Sequence, residues 1–295
     1  MKLGNLILIV GKGGVGKTTV SHAVSSYLAD QGRRVLLAHV TASGDDCDKQ
    51  TITKISPRLW EITLSPHDCF REYISLKLKL KTLSTFFLNN KIIQYLEKAA
   101  PGVREIVLLG KVWHERNNYD HVVVDMPSTG HALAMIHTPF NFAKLFPGGP
   151  IYQDSLAMSA TLENPQTTSF IGVTLAEEMP LQETFELSQS LKALVPRNPL
   201  FCVINRLTQT PQSFDMVYDA HHENLPSELQ SNPLWQSLQY RVLKKRQQEQ
   251  QLLKFQLPLS KDQSLRIPEI SERNTTDIIQ RMMQILKEQF AGGSP

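Results

Sequence analysis

The chain has 295 residues, 41% hydrophobic and 20% charged, with a formal net charge of +3. That apolar content can fill a sizeable core and excludes a disordered chain, while so small a positive charge gives no ground for a nucleic-acid partner. Three cysteines, Cys47, Cys69 and Cys202, stand far apart with no C-x-x-C pair, which argues against a disulfide framework or structural zinc and favours buried unreactive cysteine over a three-thiol metalloid site assembled in space.

The first element is LILIV at 6–10, a continuous apolar run that reads as a buried strand. It is too short for a signal peptide, and no stretch of the chain reaches the roughly 18 consecutive apolar residues of a membrane span. A cytoplasmic protein without an integral membrane segment is the expectation.

GKGGVGKTT at 11–19 follows directly and satisfies two glycine signatures. Gly11, Gly13 and Gly16 make G-x-G-x-x-G; Gly11, Gly16, Lys17 and Thr18 make the phosphate-cradling G-x-x-x-x-G-K-S/T. The dinucleotide reading needs an acid at the end of the second strand to hold the ribose. That strand, RVLLAHV at 34–40, has none. The phosphate-loop reading needs Lys17 and Thr18, and a second apolar strand ending in Asp; VVVD at 122–125 supplies it. The loop therefore predicts ATP with Mg2+. Backbone N–H groups of Gly13, Gly14, Val15 and Gly16, with the N-terminus of a helix beginning near Lys17, surround the β-phosphate. Lys17 reaches the β and γ oxygens and Thr19 the α-phosphate side. The Thr18 hydroxyl ligates the metal, and Asp125 holds it through a water.

Beyond the loop, further strands are expected at 60–65, 121–126, 170–176 and 201–207, with helical segments between them. Continuous apolar strands separated by helices indicate a parallel sheet covered on both faces. The fold class is α/β, a doubly wound, mostly parallel sheet in one domain over 1–295. Two insertions interrupt it: residues 67–118, rich in Leu, Ile and Phe, as two or three helices forming a lobe, and about 131–164, broken by PGGP at 147–150. Residues 236–256 have the Gln and charge content of an exposed helix. The amphipathic segment TTDIIQRMMQILKEQF carries few basic residues and is expected to pack on the sheet rather than on a membrane.

Neither glycine signature asks for Lys12. K-G-G-V-G-K-T resembles the deviant Walker A motif of the family that contains MinD, ParA, the nitrogenase iron protein and ArsA. In that family the extra lysine reaches across a dimer interface to the partner's nucleotide. DMPSTGHALAM at 125–135 is similar to switch II of the ArsA and guided-entry targeting branch, D-x-x-x-T-G-H followed by a helix, and Asp125, Thr129, Gly130 and His131 match. Gly130 would let the backbone approach the γ-phosphate and swing away when it leaves. PGVREIVLLGKVW at 101–113 and FIGVTLAEEMPLQETFEL at 170–187 resemble further segments of that branch. The resemblance also implies that Asn205, ending the strand FCVINRL, lies against the adenine edge, and RIPEI at 266–270 stands near the place of the adenine loop.

One departure matters. The branch normally continues its second strand into D-P-A-H-S/N-L, whose Asp orients the attacking water. RVLLAHVTASGDD places Thr41 there. A Thr hydroxyl can hydrogen-bond a water but cannot take its proton at neutral pH. Asp45, Asp46 and Asp48 follow and would substitute only if the loop folds back. The expectation is an ATPase that binds ATP securely and hydrolyses it slowly, with Lys12, Lys17, Asp125, Thr41 and Asp45 as the catalytic set. It would work as a homodimer, or a heterodimer with an ArsA-like paralogue, clamping a protein client of unknown identity. The alternatives are the energising subunit of an arsenite efflux system and a tail-anchored-protein targeting factor.

Overall fold

The apolar runs of the sequence assemble into one eight-stranded sheet of order β3-β4-β2-β5-β1-β6-β7-β8. The computed structural model describes residues 3–40, 50–78, 102–223, 225–255, 263–272 and 274–291. The strands are β1 Leu6–Val10, β2 Val35–Val40, β3 Thr53–Ser56, β4 Leu59–Leu64, β5 His121–Asp125, β6 Thr168–Leu175, β7 Leu200–Leu207 and β8 Ser264–Pro268. Every neighbouring pair is parallel except the edge pair β3–β4.

Alternate residues of a strand face opposite sides of a sheet. In β1, Leu6, Leu8 and Val10 enter the core on one side, while Ile7 and Ile9 enter the core on the other. None is more than 1% exposed, so a central strand flanked by helices on both faces must be apolar throughout. On the second face lies α1 Lys17–Asp30, through Val20, Ala23, Val24 and Leu28. The last helix, α10 Thr275–Ala291, joins it through Met282, Ile285 and Leu286, and Lys287 pairs with Asp30 at 2.7 Å. This final helix packs against the sheet layer, as its spacing predicts.

The lobe after β4 contains α2 Pro66–Leu78 and α3 Val103–Glu115; residues 79–101 lie outside the described residues. The second insertion is α4 Thr129–Leu145 and α5 Gly149–Glu163, separated at the PGGP break. Next come α6 Glu178–Leu194, α7 Gln212–His221, the short α8 Ser227–Gln230 and α9 Pro233–Lys254. Of α9 only Val242 and Gln248 are buried, in keeping with an exposed helix.

Two strands were not legible. β3, TKIS, is short, polar and mostly exposed, so it carries no apolar pattern to read. β8 takes in Arg266, Ile267 and Pro268 of the RIPEI segment. Its Leu265 and Ile267 are 2% and 0% exposed and its register pairs Val203 with Leu265. The segment set beside the adenine loop is thus, for its first three residues, an edge strand.

From β1 the chain runs to one side of the sheet for β2, β4 and β5 and to the other for β6, β7 and β8. The crevice at the carboxyl end of β1 is therefore the topological switch point, where open α/β sheets bind ligands.

Candidate functional site

Residues 11–16 cross that crevice between β1 and α1. Gly11 has φ +148°, and a Cβ there would lie 2.2 Å from the Val173 carbonyl oxygen. Gly16 has φ +98°, and a Cβ would lie 2.5 Å from Asn205 Nδ2. Backbone conformation and space both require glycine at these two positions. At Gly13 and Gly14 a Cβ would meet nothing within 4 Å, so the middle of the loop faces open space. Val15 is buried beneath it. Helix α1 starts with no side-chain cap and no acid in its first turn, leaving its N–H groups and positive dipole end for an anion.

Lys17 curls over the loop. Its Nζ donates to the carbonyls of Gly11 and Lys12, each at 3.0 Å. Burial lowers its pKa, and the nearby Asp125 and Glu183 charges partly offset this. Thr18 Oγ1 donates to Asp125 Oδ2 at 2.7 Å, joining the start of α1 to the end of β5. The other carboxylate oxygen, Asp125 Oδ1, is buried with no partner, as is the Thr129 hydroxyl at the start of α4. A hydroxyl and a carboxylate with one oxygen unsatisfied form an all-oxygen donor set suited to a hard divalent cation. Magnesium fits these residues. Thr19 lies half-buried in α1, whereas Gly130 and His131 are exposed in the first turn of α4.

Asn205 braces the loop. Its Nδ2 donates to the Val15 carbonyl at 2.9 Å, and its Oδ1 accepts from Arg206 N at 2.9 Å. The residue is 4% exposed, so its amide is engaged with the loop from below. Lys12 pairs with Glu183 of α6 at 2.9 Å, both about a third exposed. Thr41, Asp45, Asp46, Cys47 and Asp48 lie outside the described residues.

The structure adds a network that sequence reasoning missed. Asp125 sits in register beside His39 of β2. His39 Nδ1 is 3.2 Å from Asp125 Oδ2, and His39 Nε2 is 2.6 Å from Glu61 Oε1 of β4. Burial pushes the His39 pKa down, but hydrogen bonds and charges from both carboxylates outweigh it and hold the imidazole above its usual value. The reverse applies to Asp125. Burial alone would raise it, while bonds from His39 and Thr18 and the charges of His39 and Lys17 keep it below the usual carboxylate range. His22, one helical turn beyond Thr18, approaches the same Glu61 oxygen at 3.6 Å. Within the sequence, the signal for this group was a lone polar residue, His39, inside an otherwise apolar strand. Nothing local tied it to Glu61 or His22.

The chain is similar to known ATPases. The family model described as "Anion-transporting ATPase" matches residues 4–147. A protein of Aquifex aeolicus named as an arsenical pump-driving ATPase is 30% identical over 240 residues, covering 68% of this chain and 80% of that protein. The ATPase BagA of Mycobacterium tuberculosis is 28% identical over 206 residues, 63% of this chain. The chain spans 60% of the length of that mycobacterial relative. An "ATPase ASNA1 homolog 1" of Paramecium tetraurelia is 25% identical over 229 residues, 63% of this chain and 70% of its own.

Proposed function

The chain belongs to the ArsA family of anion-transporting ATPases, and from that premise we propose that it is a nucleotide-driven conformational clamp on a protein partner. ATP would bind in the loop of residues 11–19, its phosphates facing Gly13, Gly14 and the N-terminus of α1, with Lys17 swinging from the Gly11 and Lys12 carbonyls to the β and γ oxygens. Thr18 and Asp125 would hold magnesium, which when bound supplies charge neutralisation at the phosphates. The observation that carries this reading is the 2.7 Å Thr18–Asp125 hydrogen bond beside the buried, unpaired Asp125 Oδ1. Asp125 starts the switch II segment, and Thr129, whose hydroxyl is also buried and unpaired, begins the helix that follows. Loss of the γ-phosphate would be felt there first, and α4 packs against the lobe helices through the shared core.

The lobe is the place for the partner. Among the described residues, α2, α3, α4 and α5 enclose an apolar cavity of about 340 Å³ lined by Phe70, Val103, Ile106, Trp113, Phe142 and Met158. The pump alternative needs soft thiolates brought together. Among the described residues, Cys69 and Cys202 are both buried, Cys69 in the lobe core and Cys202 in β7, in separate core clusters rather than together. No described helix is long and apolar enough to cross a membrane.

Equilibrium binding of a fluorescent ATP analogue with and without magnesium tests the site. Lys17→Ala should lose binding in both conditions, and Asp125→Asn should lose mainly the magnesium-dependent part. Unchanged affinity in both variants would remove the assignment.

A further inference from the structure

We propose that His22, His39 and Glu61 form a second divalent-metal site, of the zinc class, one turn of α1 beyond the phosphate loop. The ligands come from three elements, α1, β2 and β4, and their donor atoms all lie within 4.8 Å of one another. The proposal does not depend on what the loop binds.

Three observations carry it. First, the His39 ring is oriented by Asp125 at its Nδ1, the arrangement in which a carboxylate fixes the tautomer of a metal-ligating histidine. With Nδ1–H donated to Asp125, a ring carrying no second proton would turn its Nε2 lone pair toward Glu61 Oε1 at 2.6 Å. An acceptor would then face an acceptor, and a cation or a further proton has to lie on that line. Second, His22 Nε2 lies 3.6 Å from the same oxygen, beyond hydrogen-bond length, with its ring centroid 5.3 Å from that of the His39 ring. A proton on His39 satisfies the His39–Glu61 line alone and leaves His22 without a role; one metal ion uses all three groups. Third, a tetrahedral ion with bonds of about 2.0–2.1 Å places its ligand atoms about 3.3 Å apart. The 2.6 and 3.6 Å separations lie on either side of that spacing and all three donor atoms are within 4.8 Å of one another, so side-chain shifts of about 1 Å bring them onto one ion.

Two imidazoles and a carboxylate select a borderline ion such as Zn2+ over Mg2+, which prefers oxygen. This separates the site from the all-oxygen pair Thr18–Asp125. Both His22 and Glu61 keep 28% of their side-chain surface exposed, leaving an entry path and an open fourth position for water.

Cobalt(II) titration of the full chain, tag-free and stripped with chelator, tests the proposal, because zinc itself is spectroscopically silent. Visible d–d bands should saturate at one equivalent and be abolished by zinc but not by an equal concentration of magnesium. His22→Gln and Glu61→Gln should each weaken cobalt binding by about tenfold or more, with the circular dichroism spectrum of the parent. Absence of bands in the parent protein overturns the site. So does equal affinity in the folded Glu61→Gln variant, displacement by magnesium, or a thiolate charge-transfer band, which would place the ion on cysteine.

Discussion

Lys12 Nζ lies 2.9 Å from Glu183 Oε1 of its own chain. The deviant Walker A resemblance directs this lysine to a partner's nucleotide, so Glu183 holds it in cis. Both side chains are about a third exposed, which limits such a pair to about 1 kcal/mol or less. If the chain dimerises on ATP as that resemblance implies, Glu183→Gln should raise the dimer population only a few-fold, read by sedimentation velocity with Mg-ATP. Lys12→Ala should abolish that dimer and leave ATP binding intact.

Asn205 separates two roles that affinity alone would merge. An amide reading the adenine edge would, when replaced by Ala, lose ATP relative to GTP. An amide bracing Val15 and Gly16 from beneath would lose both nucleotides equally. The 2.9 Å bond to the Val15 carbonyl and the close approach to Gly16 predict the second outcome. A paired ATP and GTP titration of Asn205→Ala measures it, with a loss of about fivefold to tenfold for each, as expected for one buried hydrogen bond.

Aligned without gaps to the resembling branch, the second strand puts Thr41 at the place of the water-orienting Asp. If hydrolysis is slow because of that replacement, Thr41→Asp should raise ATP turnover by about tenfold or more without changing ATP affinity. Steady-state phosphate release decides. A parent enzyme turning over briskly, and indifferent to both Thr41→Asp and Asp45→Asn, would show that the water is positioned elsewhere.

Lys111 and Glu115 form a buried ion pair in α3. Nζ is 2.7 Å from both Glu115 and Glu72, and the Lys111 and Glu115 side chains are 9% and 8% exposed. Burial alone would raise Glu115, but bonds from Asn118 and Lys111 hold it below its usual 4.5. A depressed carboxyl pKa contributes stability that is present above the unfolded value and lost as pH falls through the folded one. Lys111→Met leaves the Glu115 charge buried with Asn118 alone and should cost about 3 kcal/mol at neutral pH. Urea unfolding at neutral pH and again in mild acid should show the deficit shrinking as Glu115 protonates.

Much of this architecture was legible in the sequence because each strand of a doubly covered parallel sheet must be apolar along its whole length. LILIV, VLLAHV and HVVVD therefore announce themselves, and β3 and β8 were missed because edge strands need no such run. The phosphate loop was equally legible, since the glycines, Lys17 and Thr18 act through one contiguous backbone. Its partner Asp125 could be found because it ends a strand.

Side chains converging from separate elements are a different case. His39 meets Asp125 only because β2 and β5 pair in a particular register, and Glu61 and His22 join them only because β4 pairs with β2 and α1 covers that face of the sheet. Lys12 finds Glu183 across the crevice from α6. The chain's local pattern thus determined the phosphate cradle and the sheet, because hydrogen bonding and burial along neighbouring residues specify both. The tertiary structure decided what surrounds Asp125, because charge and coordination act through a few ångströms of space whatever the distance along the chain.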